Sequence, residues 1–162
     1  MSNTAPVIDT RDTFTAALRW GFDQALAQSA RSLFFVDPTF EHWPLDDVEA
    51  LETLTQWARL PGRQLTLLAA RFDEVPRRQP RFIAWRKDWA HTIRALQAPA
   101  QFAADLPTLM LDDRRLSIHL IDAVNWRGRA ALDPRARLLW QEKVDVVLQR
   151  SEPAFAATTL GL

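Results

Sequence analysis

The sequence predicts an α/β fold, helices packed on a short, mixed and mainly parallel sheet, and three observations carry that expectation. Two runs, Ser32 to Val36 and Gln64 to Ala70, are too short for helices and largely apolar, as in strands covered on both faces. Segments of helical periodicity alternate with them, which is the order of a parallel layer joined by right-handed crossovers. Further on, Leu109 to Leu111 and Leu116 to Ile121 flank Asp112-Asp113-Arg114-Arg115 and read as a hairpin, so the sheet is mixed.

The elements follow in chain order. Phe14, Ala17, Leu18, Gly21, Phe22, Ala25 and Leu26 put one apolar stripe on a first helix, with Asp12 or Thr13 as its cap. Asp37-Pro38 stops the strand that follows. Asp46 and Asp47 favour the start of a second helix, Val48, Leu51, Leu54 and Ala58 supply its buried side, and Pro61-Gly62 ends it. Beyond the second strand, Phe82, Trp85, Trp89, Ile93 and Leu96 recur at helical spacing and define a third helix bounded by Pro99. Asp133-Pro134 supplies a cap and a first-turn proline for the last helix.

A chain of 162 residues fits one domain spanning residues 1–162, with 1–10 and 154–162 as candidate loose ends. Twenty Lys and Arg balance twenty Asp and Glu, so no global field favours nucleic acid, which is an unlikely partner on this ground. The absence of cysteine excludes disulfides, thiolate catalysis and zinc ribbons, and fits a reducing cytoplasm. Met1 to Pro6 lacks the basic start and apolar run of a secretory signal. No apolar stretch approaches the ~20 residues of a membrane helix, so no membrane partner is expected.

Familiar chemistries fail on their physical requirements. Gly21, Gly62, Gly128 and Gly161 are isolated, which rules out a phosphate-cradling glycine loop or a dinucleotide fingerprint. His42, His91 and His119 form no pair at i, i+4, so zinc has no local signature. Ser32, Ser117 and Ser151 fall at a strand start, in a strand and at a helix end, none of them a nucleophile's position. No cofactor is expected.

Arg71, Arg77, Arg78 and Arg81, with Arg86 and Lys87 beyond them, gather past the second strand, at the sheet edge where α/β folds bind ligands. Guanidinium groups grip phosphate or carboxylate, so this loop is a candidate site for a small anionic ligand; its competing reading is a solvated surface paired with Asp73, Glu74 and Asp88. Asp37 and Asp73 each follow a strand and could converge on a metal or act as acid and base, or simply cap the next turn. Trp85 and Trp89 read as core or as a stacking platform, while Trp43 and Trp126 fall in loops and are candidates for covering a partner surface.

The order of elements, the strand ending in Asp112 with its short return strand, and a terminal helix carrying Trp140 and closing on Ser151-Glu152-Pro153 resemble a phospholipase D-like domain over Phe14 to Pro153. Catalytic members of that superfamily carry His-x-Lys-x-x-x-x-Asp, in which histidine attacks phosphorus and lysine holds the developing charge. Aligning the aspartate with Asp112 places Asp105 and Pro107 at the histidine and lysine positions, and no His-x-Lys occurs anywhere. The resemblance therefore implies a catalytically silent module, as in some proteobacterial members, with a binding or scaffold role and a retained homodimer interface. A hydrolase or nuclease using carboxylates near Asp37 and Asp73 is the alternative, and a purely protein-binding homodimer a third reading.

Overall fold

The computed structural model describes residues 4–156. Its centre is an eight-stranded sheet in the order β1-β7-β6-β5-β2-β3-β4-β8. The strands are β1 (Val7–Ile8), β2 (Ser32–Asp37), β3 (Gln64–Ala69), β4 (Ile93–Gln97), β5 (Thr108–Asp112), β6 (Leu116–Asp122), β7 (Arg127–Leu132) and β8 (Glu152–Pro153). Between them run α1 (Arg11–Ala27), α2 (Val48–Ala58), α3 (Val75–Arg78), α4 (Pro80–Asp88), α5 (Ala100–Ala103) and α6 (Pro134–Leu148). The sheet is mixed, as expected, but not mainly parallel: only β2 with β3 and β3 with β4 run parallel, and the other five pairings are antiparallel. The three parallel strands are the ones joined by helical crossovers, whereas β5, β6 and β7 follow one another through short turns that only antiparallel strands allow.

Strand alternation divides the core in two. Leu33 and Phe35 of β2, Leu65 and Leu67 of β3, Met110 of β5 and Ile118 of β6 face α1, α2 and α4, where Phe14, Leu18, Phe22, Leu54, Trp57 and Phe82 fill the larger cluster. Phe34, Val36, Leu68, Leu109 and Leu111 point to the other side and meet only α5 and α6, through Phe102, Trp140, Val144, Val147 and Leu148. Gly21 lets α1 approach this sheet closely, because a Cβ there would stand 2.7 Å from Ile118 Cδ1 and 2.9 Å from Met110 Sδ.

Local chemistry explains the element ends. Thr10 caps α1 rather than Asp12 or Thr13: its hydroxyl accepts the Thr13 N–H at 3.1 Å while the Thr13 hydroxyl accepts the Thr10 N–H at 2.8 Å. Asp133 accepts the Arg135 N–H at 3.0 Å ahead of Pro134, the cap anticipated for α6.

The expected third helix is shorter than its apolar spacing suggests. α4 ends at Asp88, and Ile93 to Gln97 instead pair with Leu65 to Ala69 as β4. Ile93 and Ala95 satisfy a period of two as well as Ile93 and Leu96 satisfy a helical one, and the free edge of β3 decides between them. At the chain ends, Val7 and Ile8 pair with Arg129 and Gly128, and the Ala154 N–H donates to Ala95 O at 3.0 Å. The remaining terminal residues expected to be loose, 1–3 and 157–162, lie outside the described residues.

Candidate functional site

The carboxyl ends of β2 and β3 carry the residues singled out from the sequence, and each has a local partner. One oxygen of Asp37 accepts the Thr108 hydroxyl, and the other accepts the N–H groups of Thr39 at 3.0 Å and Phe40 at 2.7 Å. This carboxylate locks the turn after β2 and ties it to the start of β5. Asp73 is exposed and pairs with Arg71 at 3.3 Å. Arg77 pairs with Glu74 at 3.7 Å, Arg78 lies between Glu74 at 3.2 Å and Glu41 at 3.6 Å, and Arg81 reaches Asp46 at 3.4 Å. The positive charge of this loop is met by carboxylates of the same surface, in exposed pairs that contribute at most about 1 kcal/mol each. No group of three or more His, Cys, Asp or Glu side chains is placed to hold a metal among the described residues.

The two unassigned tryptophans belong to the fold. Trp43 is buried against Phe14, Phe35 and Phe40 and is not free to cover a partner, while Trp126 is partly buried and packs on Phe14 and His42. Trp43 lies in the segment between β2 and α2 and Trp126 in the short β6–β7 turn, and loop position alone did not reveal that both turn back over the start of α1.

The opposite end of the sheet has a different charge arrangement. Arg31 stands just before β2, Arg63 just before β3, Arg114 and Arg115 form the β5–β6 turn, and Arg135 and Arg137 lie in the first turns of α6. Hydrogen bonds bind these segments into one surface. The Gln64 N–H donates to Arg31 O at 3.0 Å, the Arg31 N–H to Asp113 at 3.1 Å, and the Asp133 N–H to Arg115 O at 2.7 Å. Arg137 Nη1 donates to Asp112 O at 2.7 Å and so pins the turn to α6.

Asp112 holds the turn itself. It is buried, and one of its oxygens accepts the N–H groups of Arg114, Arg115 and Leu116 at 2.8, 2.8 and 2.9 Å. Six arginines thus face three aspartates, Asp112, Asp113 and Asp133, whose carboxylates are bonded to backbone N–H groups. None of the six forms an ion pair with a carboxylate among the described residues. A surface of this kind attracts a polyanion although the whole chain is neutral. Sequence reasoning missed it because its arginines come from four separate segments.

A cleft of about 800 Å³ opens between α6 and the sheet, near the carboxyl ends of β2 and β3. Val36, Leu68, Leu106, Leu120, Trp140 and Val144 give it an apolar wall. His119 packs against Trp140 with ring centroids 4.1 Å apart and the planes tilted by 51°, and Lys143 Nζ lies 4.7 Å from the centroid of the Trp140 ring. Burial, with the Lys143 charge second, lowers the His119 pKa below the ordinary imidazole value and keeps the ring neutral at neutral pH.

The sequence matches no protein-family profile and no curated protein. Among solved structures, the fold is similar to that of TrmBL2, described as an archaeal chromatin protein whose structure shows a novel mode of DNA binding. The match has a TM-score of 0.61 at 16% identity and covers 91% of this chain and 53% of TrmBL2, so this chain spans about half that protein's length. At that identity the likeness is one of fold. It overturns the expected phospholipase D-like membership, and with it the non-catalytic scaffold and its alternatives, since the structural neighbour is a DNA-binding chromatin protein. The exclusion of nucleic acid also falls: it rested on net charge, which says nothing of how charge is distributed. The features behind the earlier resemblance are general ones, for a strand ending in aspartate is here a turn-locking device, with Asp105 exposed and Asp112 buried in the hairpin.

Proposed function

We propose that this chain is a DNA-binding module whose contact surface is the cationic end of the sheet formed by Arg31, Arg63, Arg114, Arg115 and Arg135. The observation that carries the reading is that none of these arginines is ion-paired with a carboxylate among the described residues, whereas Arg71, Arg77, Arg78 and Arg81 are. Likeness of fold to a DNA-binding chromatin protein supports it. Arginine side chains on a hydrogen-bonded frame would contact backbone phosphates and release counterions, a mode that needs no base contacts. In this reading the described residues work as one unit, the arginines beyond β3 are a neutralised rim, Asp37 and Asp73 are structural, and the location is cytoplasmic.

The test is binding of a short mixed-sequence DNA duplex followed by fluorescence anisotropy at several salt concentrations. Each phosphate contact contributes about −0.9 to the slope of log affinity against log salt, so four to five contacts give a slope on the order of −4. Arg114→Ala with Arg115→Ala should reduce that slope by about 2. Absence of salt-dependent binding, or a slope unchanged in the double variant, would falsify the reading.

A second reading is favoured by the apolar cleft beside α6, which has the size and lining of a small-molecule site. An apolar ligand there would bury the His119 ring further. Its test is the His119 imidazole resonance on titration with an apolar probe such as 1-anilinonaphthalene-8-sulfonate; an unperturbed resonance while the probe binds removes the reading.

A further inference from the structure

Arg86 is the least accommodated charge among the described residues. It projects from α4 and is only 7% exposed, yet its Nε and Nη1 have no hydrogen-bond partner. Its remaining contacts are weak: Nη2 donates to Phe155 O at 3.4 Å, and Cζ lies 5.9 Å from the centroid of the Phe155 ring. No carboxylate pairs with it among the described residues. Burial lowers the pKa of the guanidinium, but the group stays charged at any physiological pH. A buried cation whose donors are left unsatisfied is destabilising, and proteins seldom retain one without a counter-ion.

The space in front of Arg86 is a cavity of about 440 Å³ at the outer edge of β4. β8 pairs with Leu96 and Gln97 and the Ala154 N–H reaches Ala95 O, so the edge is open at Ile93 and Arg94. Arg94 is the second cation in the lining, and no acidic side chain contributes to it. Ile93, Pro153 and Phe155 make the rest of the wall apolar. Arg94 alternates with the core-facing Ile93 and Ala95, so it projects from the face of β4 away from α4, where Nη2 makes one long contact to Thr66 Oγ1 at 3.5 Å.

We infer that Arg86 anchors an oxyanion site at the open edge of β4, with Arg94 adding positive charge at its rim, and that the site takes a small organic carboxylate or phosphate monoester with an apolar body. The anion is the missing counter-ion of Arg86 and draws the guanidinium outward to meet it, while the apolar body lies against Phe155 and Ile93. Duplex DNA does not enter this site, because a backbone phosphate is flanked by a sugar on both sides and cannot approach a recessed guanidinium as a terminal oxyanion can. The site is therefore independent of the cationic end of the sheet.

The experiment is isothermal titration of the full chain with benzoate, phenyl phosphate and inorganic phosphate, with melting temperature measured in parallel. Benzoate or phenyl phosphate should bind at one site and raise the melting temperature, and which binds more tightly identifies the oxyanion. Inorganic phosphate should bind more weakly, because it lacks the apolar body. Arg86→Met should lose binding by about tenfold or more while leaving the melting temperature of the free protein unchanged or raised, since an unpaired buried charge is replaced by an apolar side chain. If that variant does not fold, Arg94→Ala decides, being a surface change expected to weaken binding severalfold. Arg114→Ala with Arg115→Ala should leave benzoate and phenyl phosphate binding unaltered. The inference is overturned if no probe saturates, if Arg94→Ala binds as tightly as the parent, or if the Arg114 and Arg115 variant abolishes binding.

Discussion

The two ends of the sheet use the same device for opposite results. At one end Asp37 closes the turn after β2, and at the other Asp112 closes the turn after β5, its antiparallel neighbour. Each carboxylate accepts several backbone N–H groups and fixes a turn. The difference lies in what surrounds them. Around the Asp37 turn, the arginines beyond β3 meet Glu41, Asp46, Asp73 and Glu74 and are neutralised. Around the Asp112 turn, the aspartates are committed to backbone groups and the arginines carry no carboxylate ion pair among the described residues. The number of arginines is therefore a poor guide to an anion-binding surface; the fate of the nearby carboxylates decides.

The largest expected effect breaks the comparison at its base. Asp112→Ala leaves three N–H groups of the β5–β6 turn without their acceptor, and should destabilise the fold by about 2–4 kcal/mol. Chemical denaturation measures this directly, and a loss under about 1 kcal/mol would show that water replaces the carboxylate. Asp37→Ala should cost somewhat less, about 1–3 kcal/mol, because its turn is partly solvated and Thr108 can rebond to water.

A smaller effect separates the two arginine sets. Arg71→Ala, Arg77→Ala, Arg78→Ala and Arg81→Ala should each change stability by no more than about 0.5–1 kcal/mol and leave the salt dependence of DNA binding unchanged. If these substitutions reduced the salt slope as much as those at Arg114 and Arg115, the contrast between the two ends would collapse.

The smallest effect is a pH dependence at the cleft. The folded state holds the His119 pKa below its unfolded value, so the unfolded chain binds the proton more readily. Stability is fully present above the ordinary histidine value near 6.5 and declines as pH falls from there through the lower folded value. His119→Asn should flatten the stability profile over that interval. A profile of identical shape in the variant would assign the acid sensitivity to other groups.

Much of the fold was legible because short-range signals agreed with it. The first helix, the two covered strands, the Asp112 hairpin and the capped last helix all combine an apolar period with a stop signal. Ile93 to Gln97 was not legible, since a helical and a strand period coincide there and only pairing with β3 selects the strand. Strands as short as β1 and β8, and the polar β7 with Arg127 and Arg129, lack the apolar alternation that marks a strand. They are strands because a neighbour offers a free edge. The resemblance drawn from element order failed for a related reason: order and turn chemistry recur in many α/β proteins, and carry less information than the path of the sheet.

By itself, the sequence determined which segments are apolar, where helices begin, and which catalytic motifs are absent, because these depend on residue type and spacing along one strand of chain. Only the tertiary structure decided which arginines keep their charge available and that Arg86 is buried without a partner. It also decided that Trp43 and Trp126 close the core. Each of these depends on distances between segments far apart in the chain, and Coulomb interaction, desolvation and packing act through those distances rather than through sequence separation.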